Sequence, residues 1–187
     1  MKIGCVVLAA GNSARFGENK LLREFAGQTM ISRALAAIPE ESLDGGVVVT
    51  QFREFEDLAK ENGFIPIRNE HPEFGQSYSV KLGLQALSDY DAVLFQVSDQ
   101  PLLQKESVAA LIDFYRKHPK NIVALGYQGQ RGNPCIFPAA YFPNLMEIEG
   151  DHGGNVVIHA HEDDLLLHEV AAIQLSDVDT PEQLKEI

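Results

Sequence analysis

The chain has 187 residues, 45% apolar and 22% charged, which suits one globular domain with a full hydrophobic core. Its net charge of −12 argues against nucleic acid and anionic membranes as partners, and no apolar run approaches the roughly 20 residues that cross a bilayer. An apolar strand begins almost at once, so no secretory leader is expected, and two cysteines outside any C-x-x-C pair give no zinc site or disulfide framework; a reducing cytoplasm fits.

The first apolar run, Ile3-Gly4-Cys5-Val6-Val7-Leu8, reads as a buried strand. It runs into Ala9-Ala10-Gly11-Asn12-Ser13, a turn of small residues, with Arg15, Lys20 and Arg23 just beyond. Glycine lets a backbone approach a ligand and present several N–H groups to one anion, and cations after such a turn suit a triphosphate. The spacing is not G-x-G-x-x-G. It is not a P-loop either, because five residues separate Gly11 from Gly17 and Glu18 stands where a lysine is needed. An ordinary strand-to-helix turn is the competing reading.

A helix over residues 30–37, a strand over 46–50, a helix over 52–61 and a strand over 64–67 come next. The helix predicted over 77–87 carries Val80, Leu84 and Leu87 on one face, with Ser77 and Ser79 in its first turn. The strand over 92–97 ends just before Asp99-Gln100-Pro101. In open α/β sheets, ligands gather beyond the carboxyl ends of the strands. A carboxylate there is placed to hold Mg²⁺ against phosphate oxygens; the alternative is a loop Asp capping the next turn. If the first strand and this one are parallel, the glycine turn and Asp99 share one sheet edge.

A helix over 106–118 and a strand over 122–125 lead to Arg131-Gly132-Asn133-Pro134 and a strand over 134–137. An Arg beside a Gly can reach an anion while the backbone bends, or the segment is a polar hairpin. After a helix over 140–146, Gly150-Asp151-His152-Gly153-Gly154-Asn155 offers access and a carboxylate ahead of a helix over 155–160, or is a flexible loop ending in a cap. His159 and His161 are two apart and do not share a helical face, so surface or cap roles are expected for them and for His168. Strands over 165–169 and 173–174 precede Asp177-Val178-Asp179. That segment is either a D-x-D metal pair or an acidic approach to a helix over 181–186, which Thr180 caps, Pro181 starts and Gln183 completes as a capping box. Strands alternating with helices predict a mostly parallel sheet covered on both faces, with no repeat or linker dividing the chain.

Taken together, these segments resemble the molybdenum cofactor nucleotidylyltransferases, in particular the molybdopterin cytidylyltransferase (MocA-like) branch of the MobA-like NTP transferases. The opening motif of that family, L-A-A-G-x-S-x-R-x-G-x-x-K-L-L, is complete from Leu8 to Leu22. Gly75-Gln76-Ser77-Tyr78-Ser79 with Gly83-Leu84, Asp99-Gln100-Pro101, Arg131-Gly132-Asn133-Pro134, Gly150-Asp151-His152-Gly153 and Asp177-Val178-Asp179-Thr180-Pro181 follow in order.

The resemblance implies a three-layer Rossmann-like nucleotidyltransferase fold of the nucleotide-diphospho-sugar transferase type, α/β with a mainly parallel central sheet, as a single domain over 1–187. It also implies Mg²⁺-dependent transfer of a nucleoside monophosphate from a triphosphate, with release of pyrophosphate, in the cytoplasm. Leu8, Ala9, Ala10, Gly11 and Ser13 would wrap the triphosphate, with Arg15 and Lys20 as its catalytic cations. Asp99 would hold Mg²⁺, with Asp179 a second candidate ligand. Ser77 and Ser79 would line the base and ribose pocket. Gln100, Arg131, Asn133 and Asp151 would bind substrate, the later motifs facing a phosphorylated pterin acceptor. In these relatives L-A-A-G accompanies cytidylyl transfer and L-A-G-G guanylyl transfer, so Ala10 favours CTP. Two positions depart from the pattern: Asn133 where the family often has His, and Asn155 where it often has Arg. The competing functions are guanylyl transfer, nucleotidyl transfer to another phosphorylated small molecule, and a nucleotide-binding regulator without turnover.

Overall fold

A computed structural model describes residues 1–11, 19–180 and 182–183. In chain order the elements are β1 (Ile3–Ala9), β2 (Glu24–Phe25), β3 (Gln28–Thr29), α1 (Met30–Ala36), β4 (Gly45–Thr50), α2 (Arg53–Glu61), β5 (Ile65–Arg68) and α3 (Gln76–Ala86). They continue with β6 (Ala92–Val97), α4 (Lys105–Lys117), β7 (Ile122–Tyr127), β8 (Gln130–Pro138), α5 (Phe142–Glu147), α6 (Asn155–Ala160) and β9 (Leu165–Glu169). Seven strands form one sheet in the order β5-β4-β1-β6-β8-β7-β9. β8 is antiparallel to both its neighbours, and the remaining pairs are parallel.

Side chains alternate across a strand, so an apolar run in a central strand feeds two cores at once. Cys5, Val7 and Ala9 of β1 pack on one face with Met30 and Ile31 of α1, Phe55 of α2, and Leu111 and Ile112 of α4. Val6 faces the other way, with Val80 and Leu84 of α3, Leu145 of α5 and Ile158 of α6. These are the three layers that the sequence predicts. A Cβ on Gly83 would collide with the Val6 side chain, so α3 can lie this close to β1 only with glycine there. No described helix is long and apolar enough to cross a membrane.

The structure departs from the sequence reading in four places. The strand expected over 173–174 is a 3₁₀ turn, Ala172–Leu175. β9 is the last strand of the sheet and the chain turns back from it toward Asp99, so this segment has no strand to pair with. The helix expected over 140–146 is divided into a 3₁₀ turn, Ala139–Tyr141, and α5, whose first turn accommodates Pro143. The short β2–β3 hairpin was not predicted; it turns at Ala26 and Gly27 with φ of 50° and 79°. β8 begins earlier than expected and pairs with β7 across a tight turn at Gln128 and Gly129, whose N–H groups both donate to the Glu169 carboxylate, at 2.7 and 3.1 Å. The helix predicted over 181–186 lies mostly outside the described residues. Its capping box is in place: Thr180 N donates to Gln183 Oε1 at 3.0 Å and Gln183 N to Thr180 Oγ1 at 3.4 Å.

Candidate functional site

β1 and β6 pair in parallel with Leu8 opposite Val97, so the loops that leave them start from the same edge. Neighbouring strand ends fix the first of these loops. Ser98 Oγ donates to the Leu8 carbonyl at 2.9 Å, Thr50 Oγ1 to the Ala9 carbonyl at 3.0 Å, and Gln51 Nε2 to the Ala10 carbonyl at 2.8 Å. Three successive carbonyls are thus tied to β4 and β6, which sets the direction in which the chain enters the glycine turn. Arg15 and Ser13 of that turn lie outside the described residues.

Beyond the turn, Asn19 caps a 3₁₀ turn, Lys20–Leu22, and Lys20 reaches the sheet edge. Its ammonium donates to Asp99 Oδ2 at 2.9 Å, to Asp179 Oδ1 at 3.0 Å and to the Val178 carbonyl at 3.0 Å. Burial works against this charge, but the two carboxylates outweigh it and raise the lysine above its usual pKa. Asp179 arrives on the segment returning from β9, which is held at Val178 N by the Asp99 carbonyl at 2.9 Å. Gln100 also holds it, through Nε2 to the Leu175 carbonyl at 3.2 Å and to Asp177 Oδ1 at 2.9 Å. Desolvation raises the Asp177 carboxyl from its ordinary value, with Asp99 and Asp179 adding to the effect and Gln100 and Lys20 opposing it. The two acids of the D-x-D therefore diverge: Asp179 meets Lys20, and Asp177 meets Gln100. Among the described residues, no three His, Cys, Asp or Glu side chains gather as a metal-binding group.

A cavity of about 680 Å³ opens here, lined by Leu8, Ala10, Gly11, Lys20, Asn69, Gln76, Ser79, Asp99, Asp151 and Asp179 among others. A second, of about 220 Å³, adjoins it and shares Leu8, Gln76, Val97 and Asp151. Its apolar wall includes Phe95 and Phe137, edge to face at 5.9 Å, and its polar groups include Arg131, Asn133, Cys135 and Asn155. The β7–β8 register shifts between Ala124 and Gly126, giving β8 a bulge over residues 132–134. Bulges re-aim side chains, and this one lies where Arg131 and Asn133 line the second cavity. Cys135 is buried, and burial raises its thiol pKa against the opposing pull of Arg131.

The N-terminus of α3 joins the two cavities. Gly75 has φ of 81°, and a Cβ there would sit 2.5 Å from the Gly150 carbonyl carbon, so glycine is required twice over. Ser77 N donates to the Gly150 carbonyl at 3.2 Å and Gln76 N to Asp151 Oδ1 at 3.3 Å.

Leu8, Ala10, Gly11, Lys20, Ser79, Asp99, Asp151 and Asp179 therefore face the larger cavity, and Arg131 and Asn133 the smaller. Ala9, Ser77 and Gln100 are buried and line neither. Asn69, which the sequence reading did not single out, is buried at the cavity wall. It donates to Ser79 Oγ at 3.0 Å and accepts from His71 N at 2.8 Å. Ser98 and Gln51 were also missed; both follow directly on predicted strands, the signal that could have marked them. Gln76 stands in the Gly75–Ser79 motif but was given no role of its own.

The model of the MobA-like NTP transferase domain family matches residues 5–165. Purine catabolism protein PucB of Bacillus subtilis is 26% identical over 191 residues, covering 95% of this chain and 92% of that protein. A probable molybdenum cofactor guanylyltransferase of Pyrococcus horikoshii is 31% identical, covering 81% and 75%. Among solved structures, a nucleotidyl transferase from Methanothermobacter superposes with a TM-score of 0.83 at 20% identity, covering 99% of this chain and 95% of that one. Rv0371c of Mycobacterium tuberculosis in complex with manganese gives 0.78 at 20%, covering 100% and 97%. A CMP:2-keto-3-deoxy-manno-octonic acid synthetase complexed with CTP gives 0.77 at 15%, covering 100% and 96%.

Proposed function

The chain belongs to the MobA-like NTP transferase domain family, and from that premise we propose that it transfers CMP from CTP to the terminal phosphate of molybdopterin, or of its molybdenum-loaded form, releasing pyrophosphate. The observation that carries this reading is the convergence of Ala10, Gly11, Lys20, Asp99 and Asp179 on one cavity that continues past Gln76 and Asp151 into a second, Arg131-bearing one. A donor and an acceptor need such adjoining sites. Ala10 lines this cavity, and the resemblance, in which L-A-A-G accompanies cytidylyl transfer, supports CTP as the donor. The single-domain chain, working in a reducing cytoplasm, would keep its two buried cysteines as thiols.

The acceptor phosphate is largely a dianion near neutral pH, with a second pKa of about 6, so it needs no general base. It attacks the α-phosphorus in line, a P–O bond forms, and the bond to pyrophosphate breaks. Catalysis is then positioning and charge neutralisation. Asp99 and Asp179 are the residues that would hold a magnesium ion. The donor set fits, because two carboxylate oxygens already surround one cationic centre, the Lys20 ammonium, and Mg²⁺ is commonly held by one or two carboxylates with phosphate and water supplying the rest. When bound, that ion neutralises and orients phosphate oxygens. Lys20 and Arg15 supply charge for the leaving phosphates, and Arg131 supplies it on the acceptor side.

A panel of nucleoside triphosphates offered with molybdopterin, read by pyrophosphate release, tests the reading. Preference for CTP supports it. Preference for GTP would favour guanylyl transfer, the reading that the Pyrococcus relative supports. Tight nucleotide binding with no pyrophosphate would favour a regulator.

A further inference from the structure

We propose that Lys20 is a built-in counter-ion that occupies the carboxylate pair until a divalent cation and a phosphate chain take its place together; this rests on the reading of Asp99 and Asp179 as metal ligands given above. An ammonium has three donors and no more. All three are engaged here, by Asp99 Oδ2 at 2.9 Å, Asp179 Oδ1 at 3.0 Å and the Val178 carbonyl at 3.0 Å. In this position Lys20 has no N–H left for a triphosphate. The carboxylates are equally engaged around the ammonium, and a magnesium ion would need them at about 2.0–2.1 Å. Ammonium and divalent cation cannot share that space.

One displacement resolves both conflicts. The lysine stem is long and flexible, and Lys20 lines the 680 Å³ cavity into which it would swing. Leaving without replacement would strip Asp99 of its ammonium partner beside a second carboxylate, which is costly. Arriving in the cavity without an anion would strand the ammonium. Cation and phosphate therefore favour the same displaced position of Lys20, and each raises the affinity for the other by the same factor. In the nucleotide-free protein, the metal is opposed by its internal competitor, and its apparent affinity falls by the fraction of molecules in which the pair is open.

The test is Mn²⁺ binding to the full-length, nucleotide-free protein, followed by the EPR signal of the free ion, for wild type, Lys20→Met, Asp99→Asn and the double variant. Lys20→Met is expected to tighten Mn²⁺ binding by about tenfold or more, and Asp99→Asn to abolish that gain. Equal or weaker binding by Lys20→Met, with binding still lost in Asp99→Asn, overturns the counter-ion and leaves the metal site standing. Mn²⁺ binding that ignores Asp99→Asn overturns the metal site and the counter-ion with it. A second measurement needs no variant: acylation of Lys20 in the wild type, read by mass spectrometry, is expected to rise at Mn²⁺ concentrations that saturate the site and to fall again when a non-hydrolysable nucleoside triphosphate is added. Acylation unchanged at saturating Mn²⁺ overturns the proposal.

Discussion

Lys20 lies between Asp99 and Asp179 with every donor engaged, whereas the Arg131 guanidinium, in the adjoining cavity, meets only the Gly132 carbonyl at 3.4 Å and Cys135 Sγ at 3.6 Å. Among the described residues, Arg131 has no carboxylate partner. In a chain of net charge −12, that contrast separates two kinds of anion site. At the first end the cation is already paired with carboxylates of the protein; at the second it is not. On the proposed reading, the first would load a cation and a phosphate chain together, and the second would receive a smaller anionic group.

Substitutions at the two ends should therefore fail differently. Lys20→Ala and Asp99→Ala are each expected to cut pyrophosphate release by on the order of 10²–10³ with the circular dichroism spectrum unchanged; wild-type turnover in either would dissolve the distinction. Arg131→Ala is expected to raise the KM for the acceptor by about 10–100-fold, the scale of a charge-assisted hydrogen bond, without moving the KM for nucleotide. The opposite pattern would transfer Arg131 to the donor end. Gln100→Leu removes the donor to the Asp177 carboxylate and the Leu175 carbonyl and should cost about 0.5–1.5 kcal/mol in urea unfolding. An unchanged midpoint would show that Gln100 does not tie the Asp99 loop to the returning segment. Smallest of all, His159→Ala breaks an exposed pair with Glu162 and should move stability by no more than about 0.5 kcal/mol, with turnover intact.

Much of this architecture was legible because its signals are local. The strand over 92–97 and the helix over 155–160 have the predicted bounds, and the rule that parallel strands open on one edge brings the residues after β1 together with Asp99. What was illegible depends on distance along the chain. Lys20 meets partners 79 and 159 residues away, and no window of sequence contains both. Asn69 follows a short edge strand without glycine or motif, and its side chain gains its place from Ser79 on α3 and the backbone of His71. One miss was avoidable. Ser77 and Ser79 are two apart on a helix and cannot face the same cavity, so periodicity already allowed only one of them to line it. Gln100, likewise, follows Asp99 directly and turns to the returning segment while Asp99 turns to Lys20.

The meeting of Gly75 with Gly150 is a contact between two backbones with no side chain in between. A side-chain contact can be loosened or tightened one methyl at a time, but this one has no such intermediate settings. The loop over residues 150–154 and the start of α3 are therefore geared together. Any displacement of that loop bears directly on the first turn of α3, where Gln76 stands between the two cavities.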